Sequence, residues 1–189
     1  MGVRRALVFG GTRGIGAALT TLLRKQDWEV EAWGRGALDF TDLRAITTPL
    51  VIPPADFVCF CAGELNPFPW DRKHYKDYHA AYLLHALGPV LILATNKGTV
   101  FPWWCRVCLV SSVGEIISGA VDLGYGMAKA ALDKAAKALA EHESWSVHLV
   151  RFDAVETDTF YRIPTETLHG RAVLSPMQAA MQIVEECGL

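Results

Sequence analysis

Tyr125 and Lys129 lie four residues apart in "GYGMAK", a spacing that puts both side chains on one face of a helix. A phenol with a pKa of about 10 is a poor proton donor at neutral pH, and a neighbouring ammonium lowers that value. Ser112 precedes Tyr125 by thirteen residues, at the end of a strand-like run where parallel sheets keep their chemistry. Each has a plainer reading when taken alone: Y-x-x-x-K on a solvated helix face, and a serine pair in the turn after a strand. Order and spacing carry the information.

A second stretch, "FGGTRGIG" from Phe9 to Gly16, sets Gly10, Gly11, Gly14 and Gly16 around Thr12, Arg13 and Ile15. Glycine is entropically costly, so four in seven residues imply that something must approach bare backbone. The stretch falls between a strand and a helix, where a helix N-terminus and free N–H groups can hold a pyrophosphate. The spacing is G-x-x-x-G-x-G and not G-x-G-x-x-G; on its own it also suits a tight strand-to-helix turn.

The elements that must position these groups alternate along the chain. Strands are expected at Arg5–Phe9, Glu29–Trp33, Ala37–Asp39, Phe57–Cys61, Cys105–Ser112 and Val147–Phe152. Helices are expected at Gly14–Lys25, from Asp42, at Asp71–Thr95 with a bend near Gly88–Pro89, at Tyr125–His142 and at Pro176–Glu186. Apolar strands separated by helices predict a parallel sheet covered on both faces. The expected fold is α/β: residues 1–189 form one doubly wound Rossmann-type domain with a sheet of about six strands in the order 3-2-1-4-5-6.

Composition narrows the function. A net charge of −2 gives no reason to expect a nucleic-acid surface or an anionic membrane partner. The apolar run Ala6–Phe9 is too short for a signal peptide. The run Ala80–Thr95 is interrupted by His85, Gly88 and Pro89 and falls short of a membrane span, so a cytoplasmic protein is expected. Ala6 stands where a myristoylation motif needs Ser or Thr. Cys59 and Cys61 share one face of an apolar run, which suits reduced, buried thiols. "CRVC" (Cys105 to Cys108) lies in a strand, where positions three apart point to opposite faces, so core packing is expected over redox or metal chemistry. His74 and His85 lie three helical turns apart, too far to share an ion, and no metal site is expected.

With these residues in place, the chain from about Arg5 to Thr157 resembles the short-chain dehydrogenase/reductase family. Its Gly-rich turn, N-N-A-G segment, catalytic Ser and Y-x-x-x-K read here as Gly10/Gly14/Gly16, "FCAG" (Phe60 to Gly63), Ser112, and Tyr125 with Lys129. The resemblance implies that Tyr125 is the acid/base, that Lys129 lowers its pKa and holds the nicotinamide ribose, and that Ser112 orients the substrate oxygen. It further implies cofactor contacts at Gly10 to Gly16, at Asp39 and Phe40 beside the adenine, at Cys61, Ala62 and Gly63, and at Val155 and Thr157 in "VETD". Four departures stand out. His85 occupies the family's Asn position, where it either holds a relay water or packs as a helix residue. Phe60 and Cys61 replace two Asn residues. Phe152-Asp153 replaces Pro-Gly, and the seventh strand is absent from the expected order.

Charge suggests the cofactor. Family enzymes that use NAD place an acid after the second strand, and that acid repels a 2′-phosphate. Here the strand runs into Gly34-Arg35 and Arg13 adds a second cation, so NADP(H) is expected, although both arginines also suit a solvated surface. The leading expectation is an NADPH-dependent carbonyl reductase acting on a small carbonyl or alcohol substrate. The alternatives are a noncatalytic NADP(H)-binding regulator and a structural subunit. A short lid at about residues 158–175, with Phe68, Trp70 and Phe152, suggests an apolar pocket. Small residues in "MAKAALDKAAKALA" predict a homodimer or homotetramer through this helix and the one ending near Thr95.

Overall fold

The computed structural model describes residues 2–65, 71–113, 123–158, 160–162 and 172–189. Phe68, Trp70 and positions 163–171 of the expected lid lie outside them. Strands β1 (Arg5–Phe9), β2 (Glu29–Trp33), β3 (Phe57–Phe60), β4 (Arg106–Ser112) and β5 (Ser146–Phe152) form one parallel sheet in the order β2-β1-β3-β4-β5. Helices α1 (Gly14–Lys25), α2 (Leu43–Ile46), α3 (Tyr75–Tyr82), α4 (Gly88–Thr95), α5 (Leu123–His142) and α6 (Pro176–Cys187) cover it. A second parallel pair, β6 (Ala154–Val155) with β7 (Val173–Leu174), follows β5.

β3 is buried at all four positions, as expected of a strand covered on both faces. Two cores result. Leu7, Phe9, Val58, Phe60 and Leu109 pack on the α4/α5 side. Val8, Cys59, Cys108, Val150 and Ile183 pack with α1 and α6 on the other.

The strand expected at Ala37–Asp39 does not form, which corrects the six-strand expectation to five. The N–H groups of Ala37 and Leu38 turn back to the Gly34 carbonyl at 3.0 and 3.1 Å. Asp39 accepts from the Thr41 N–H and hydroxyl at 2.9 and 2.8 Å, a local bond that competes with a ladder. β2 is therefore the edge, and Glu29 and Glu31 on it oppose further strand pairing. The order of the remaining strands is as expected.

The long segment expected as one helix is interrupted by a π turn at Leu83–Leu87. Pro89 has no N–H to bond the His85 carbonyl, and the Gly88 N–H reaches back to Leu83 instead. A Cβ at Gly88 would come within 2.6 Å of that carbonyl and 3.1 Å of the Phe40 ring. An 18-residue stretch within Arg72–Thr95 reaches a mean hydropathy of 1.3, enough by length and composition alone for a membrane span. Its Leu83, Ala86, Ile92 and Leu93 are nevertheless buried in the core.

Candidate active site

A cleft of about 520 Å3 opens at the carboxyl ends of β1, β3, β4 and β5. Its floor is the turn after β1. Gly10 and Gly14 have positive φ, 79° and 53°, conformations that side chains disfavour. A Cβ on Gly10 would lie 2.5 Å from the Ala62 nitrogen, so the turn packs directly against the backbone after β3. Thr12, Arg13, Gly14 and Ile15 line the cleft with Gly10; Gly11 and Gly16 lie behind it, where a Cβ would strike Val8 and Gly10 backbone. Helix α1 starts without a side-chain cap or an acid in its first turn. Its first N–H groups are thus left to an anionic ligand.

The end of β2 carries the charges. Gly34 leaves room for the Thr12 side chain, whose hydroxyl would lie 2.7 Å from a Cβ there. Arg35 reaches across to Glu64 at 2.9 Å, and Arg13 approaches Asp158 at 3.7 Å. Both arginines line the cleft as expected, but each already faces an acid. Asp39 and Phe40 line the same end. Burial pushes the Asp39 carboxyl up, yet the Thr41 bonds and Arg35 together hold it below its usual value.

At the opposite end, α5 presents Tyr125 and Lys129 beside β4. Lys129 is 7% exposed, and its Nζ donates to the Val110 carbonyl at 2.7 Å. Nζ also lies 5.6 Å from the centre of the Tyr125 ring. Burial pushes the Lys129 pKa down to about 8, against the opposing pull of Cys61 and Asp133. Ser112 ends β4 on the cleft wall. Ser111, its neighbour, is buried and donates to Asp133 at 2.5 Å; the same carboxylate takes Arg151 at 2.9 Å.

His85 lines the same cleft. The π turn carries it under Gly63, whose Cβ would meet the imidazole at 3.1 Å, and its ring stands edge-on to Tyr125 at 4.9 Å. Nε2 lies 2.8 Å from the Glu64 carbonyl. The Glu64 N–H also approaches Nε2, at 3.4 Å, but the shorter contact is to a carbonyl, which only accepts, so Nε2 carries the proton and Nδ1 is left as an acceptor. Nδ1 is buried with no hydrogen-bond partner among the described residues. Burial, reinforced by the Lys129 ammonium, pushes the His85 pKa down to about 3. The ring is neutral at physiological pH and cannot serve as a proton donor in its charged form.

Cys61, Ala62, Gly63, Val155 and Thr157 complete the cleft walls. The sequence reading missed Glu64, Asp158 and Asp133. Asp133 had a visible signal, since it continues the Tyr125–Lys129 stripe by one more four-residue step. Glu64 had none, because its pairing with Arg35 spans 29 residues. Among the described residues no cluster of His, Cys, Asp and Glu side chains suits a metal.

No protein-family model matches the chain, and no curated protein is detectably similar to it in sequence. Solved structures match its shape closely. A small-chain dehydrogenase in complex with NADPH superposes with a TM-score of 0.81 at 19% identity, covering 100% of this chain and 92% of its own. A short-chain dehydrogenase family protein from Francisella tularensis gives 0.79 at 16% identity, over 98% and 91%. The short-chain dehydrogenase from Sphingobium yanoikuyae, also in complex with NADPH, gives 0.72 at 15%, over 97% and 84%. The polypeptide therefore has the short-chain dehydrogenase/reductase fold.

Proposed function

We propose that this protein is an NADP(H)-dependent oxidoreductase of the short-chain type, which reduces a carbonyl to a hydroxyl or runs the reverse reaction. The observation that carries this reading is the meeting, in one cleft, of the bare-backbone turn with Tyr125, Lys129, Ser112 and His85. The residues fit the cofactor: Gly10 and Gly14 clear a path for phosphates, α1 offers uncapped N–H groups, and His85 Nδ1 awaits a donor. Two of the similar structures carry NADPH.

When bound, the nicotinamide supplies or accepts the hydride. Tyr125 gives its hydroxyl proton to the substrate oxygen, or takes it back. Lys129 holds a positive charge beside the phenol, which favours the phenolate left behind. Its own depressed pKa lets it share that proton near neutrality. Ser112 donates to the same substrate oxygen and fixes its direction. His85, neutral and held by the Glu64 carbonyl, accepts at Nδ1 and orders the hydroxyl or water placed there. Arg13 and Arg35 select the 2′-phosphate by charge, and Phe152 gives the substrate end apolar character.

Assembly as a homodimer or homotetramer through α5 and the Arg72–Thr95 segment is part of the proposal, as is a cytoplasmic location. Tyr82 and Met127 are exposed on these helices, and a monomeric mass at micromolar concentration would refute the assembly. The catalytic reading is tested by titrating NADPH and NADH against protein fluorescence, then following NADPH consumption with a panel of ketones and quinones. Saturable, NADPH-preferring binding with turnover of at least one carbonyl is expected. Failure to bind either dinucleotide would sink the reading.

A further inference from the structure

Cys61 lines the cleft and is half-buried, whereas Cys59 lies two residues earlier in fully buried β3. Their sulfurs are 3.2 Å apart. Neither has a part in the proton or hydride chemistry above. We propose that Cys61 and Cys59 form an oxidisable dithiol site, in which Cys61 takes hydrogen peroxide at the cofactor cleft and Cys59 resolves it as a disulfide across the end of β3.

The two thiols have unequal surroundings, as such a site requires. Cys61 is reached from the cleft, on the side that also holds Lys129. The thiolate is the nucleophile of such a step. Cys59 is fully buried among Phe57, Val8 and Cys108, and burial pushes its thiol well up. It cannot meet peroxide directly, but it lies within reach of Cys61. The Cys61 thiolate attacks one peroxide oxygen; the S–O bond forms, the O–O bond breaks, and the other oxygen leaves as water after taking a proton. Cys59 sulfur then attacks the Cys61 sulfenic acid, the S–S bond forms, and hydroxide leaves with the Cys59 proton as a second water. Two thiols lose two electrons and one hydrogen peroxide gains them.

The geometry also says what closure does. Residues two apart on an extended strand have Cα atoms about 6.6 Å apart, at the long end of what a disulfide spans. Closing the 3.2 Å gap to a bond needs about 1.2 Å of approach. That movement falls on the Cys61–Ala62 backbone, and the Gly10 turn packs on it without slack. The bridge therefore disturbs the floor of the cofactor site and, being strained, is readily reduced. Oxidation and cofactor binding oppose each other.

Trypsin makes the test direct. Both thiols fall in the peptide 45–72, Cys105 in 98–106, Cys108 in 107–129 and Cys187 in 172–189. The intact chain is treated with hydrogen peroxide, with and without NADPH, alkylated, digested and weighed. The expected result is loss of two hydrogens within peptide 45–72, reversed by dithiothreitol and abolished in Cys61→Ser. In Cys59→Ser, Cys61 should stop at a sulfenic acid trapped by dimedone. With NADPH at about a hundred times its Kd, the reaction should slow about a hundredfold if only the free protein reacts. A cross-link between 45–72 and 107–129, or thiols in 45–72 that stay alkylatable, would overturn the proposal. Only the cofactor arm rests on the function proposed above. NADPH affinity of the reduced chain is measured separately, so a failure to bind rejects that function while the peptide masses still decide the dithiol.

Discussion

At the β2 end of the cleft the Arg13 and Arg35 side chains are 60% and 62% exposed, and each faces a carboxylate across 3.7 and 2.9 Å. At the α5 end Lys129 is 7% exposed and His85 is 1% exposed, and each bonds a backbone carbonyl, Lys129 that of Val110 and His85 that of Glu64. Under the proposed function, the difference separates recognition from chemistry. Solvated charges can be exchanged at small cost, because water screens them. Buried groups are shifted: Lys129 falls to about 8, within range of proton sharing near neutrality, and His85 to about 3, which keeps its ring a neutral acceptor. Substitutions at the buried end should accordingly act on rate and on stability against pH, and those at the exposed end on affinity for one cofactor over another.

The largest effect belongs to Tyr125→Phe. It removes the proton donor and leaves the ring packed against His85. Turnover should fall by about 10²–10⁴-fold, or about 3–5 kcal/mol in the barrier, with NADPH affinity nearly unchanged. Undiminished turnover would reject Tyr125 as the acid. Lys129→Met should be nearly as severe for turnover, about 10²-fold or more. It should not lower the melting temperature, because it removes a charge that burial disfavours. A large loss of stability with activity retained would make Lys129 a structural residue and erase the contrast between the two ends.

His85 sharpens the same contrast through pH. Its pKa falls from 6.5 in the unfolded chain to about 3 in the folded one. Between those values the unfolded chain holds a proton that the folded chain refuses, so stability falls as pH falls through this window. Above 6.5 both states are neutral and the contribution vanishes. Asn does not titrate, so His85→Asn should flatten this part of the stability curve, read as urea midpoints from pH 7 down to about 3. Parallel curves for the two proteins would mean that His85 is not held neutral by the fold.

How much of this was legible beforehand depends on the range of the interaction. Apolar runs alternating with helical ones implied the doubly wound sheet, the Rossmann arrangement supplied its strand order, and Tyr125 with Lys129 followed from a single helical repeat. The strand at Ala37–Asp39 was misread because its backbone bonds are taken by the Gly34 turn and by Asp39 with Thr41. The bend near Gly88–Pro89 was visible in the missing proline N–H, but its form as a π turn, and the placing of His85 beneath Gly63, depend on packing against Phe40 and the β3 exit. Long-range charge pairs were invisible. Arg35 looked free to meet a phosphate, and Glu64 is 29 residues away in sequence.

That pairing gives the smallest and most discriminating effects. Arg35→Asp should weaken NADPH binding by about tenfold while sparing or improving NADH, since the change replaces a phosphate partner with a repelling charge. Solvent exposure keeps the effect at the low end for a charge-assisted contact. Glu64→Gln acts in the opposite direction. With the carboxylate gone, Arg35 is no longer shared between an acid and the 2′-phosphate, and the cleft loses a charge that repels the phosphate. NADPH affinity should rise by a few-fold, about 0.5–1 kcal/mol, with NADH little changed. The size should shrink as salt rises, because both partners are within reach of counterions. Fluorescence titration of both cofactors against wild type and the two variants, at low and moderate salt, reads all of these at once. Equal changes for NADPH and NADH would show that Arg35 and Glu64 do not read the 2′-phosphate, and the exposed end would then lose its part in choosing the cofactor.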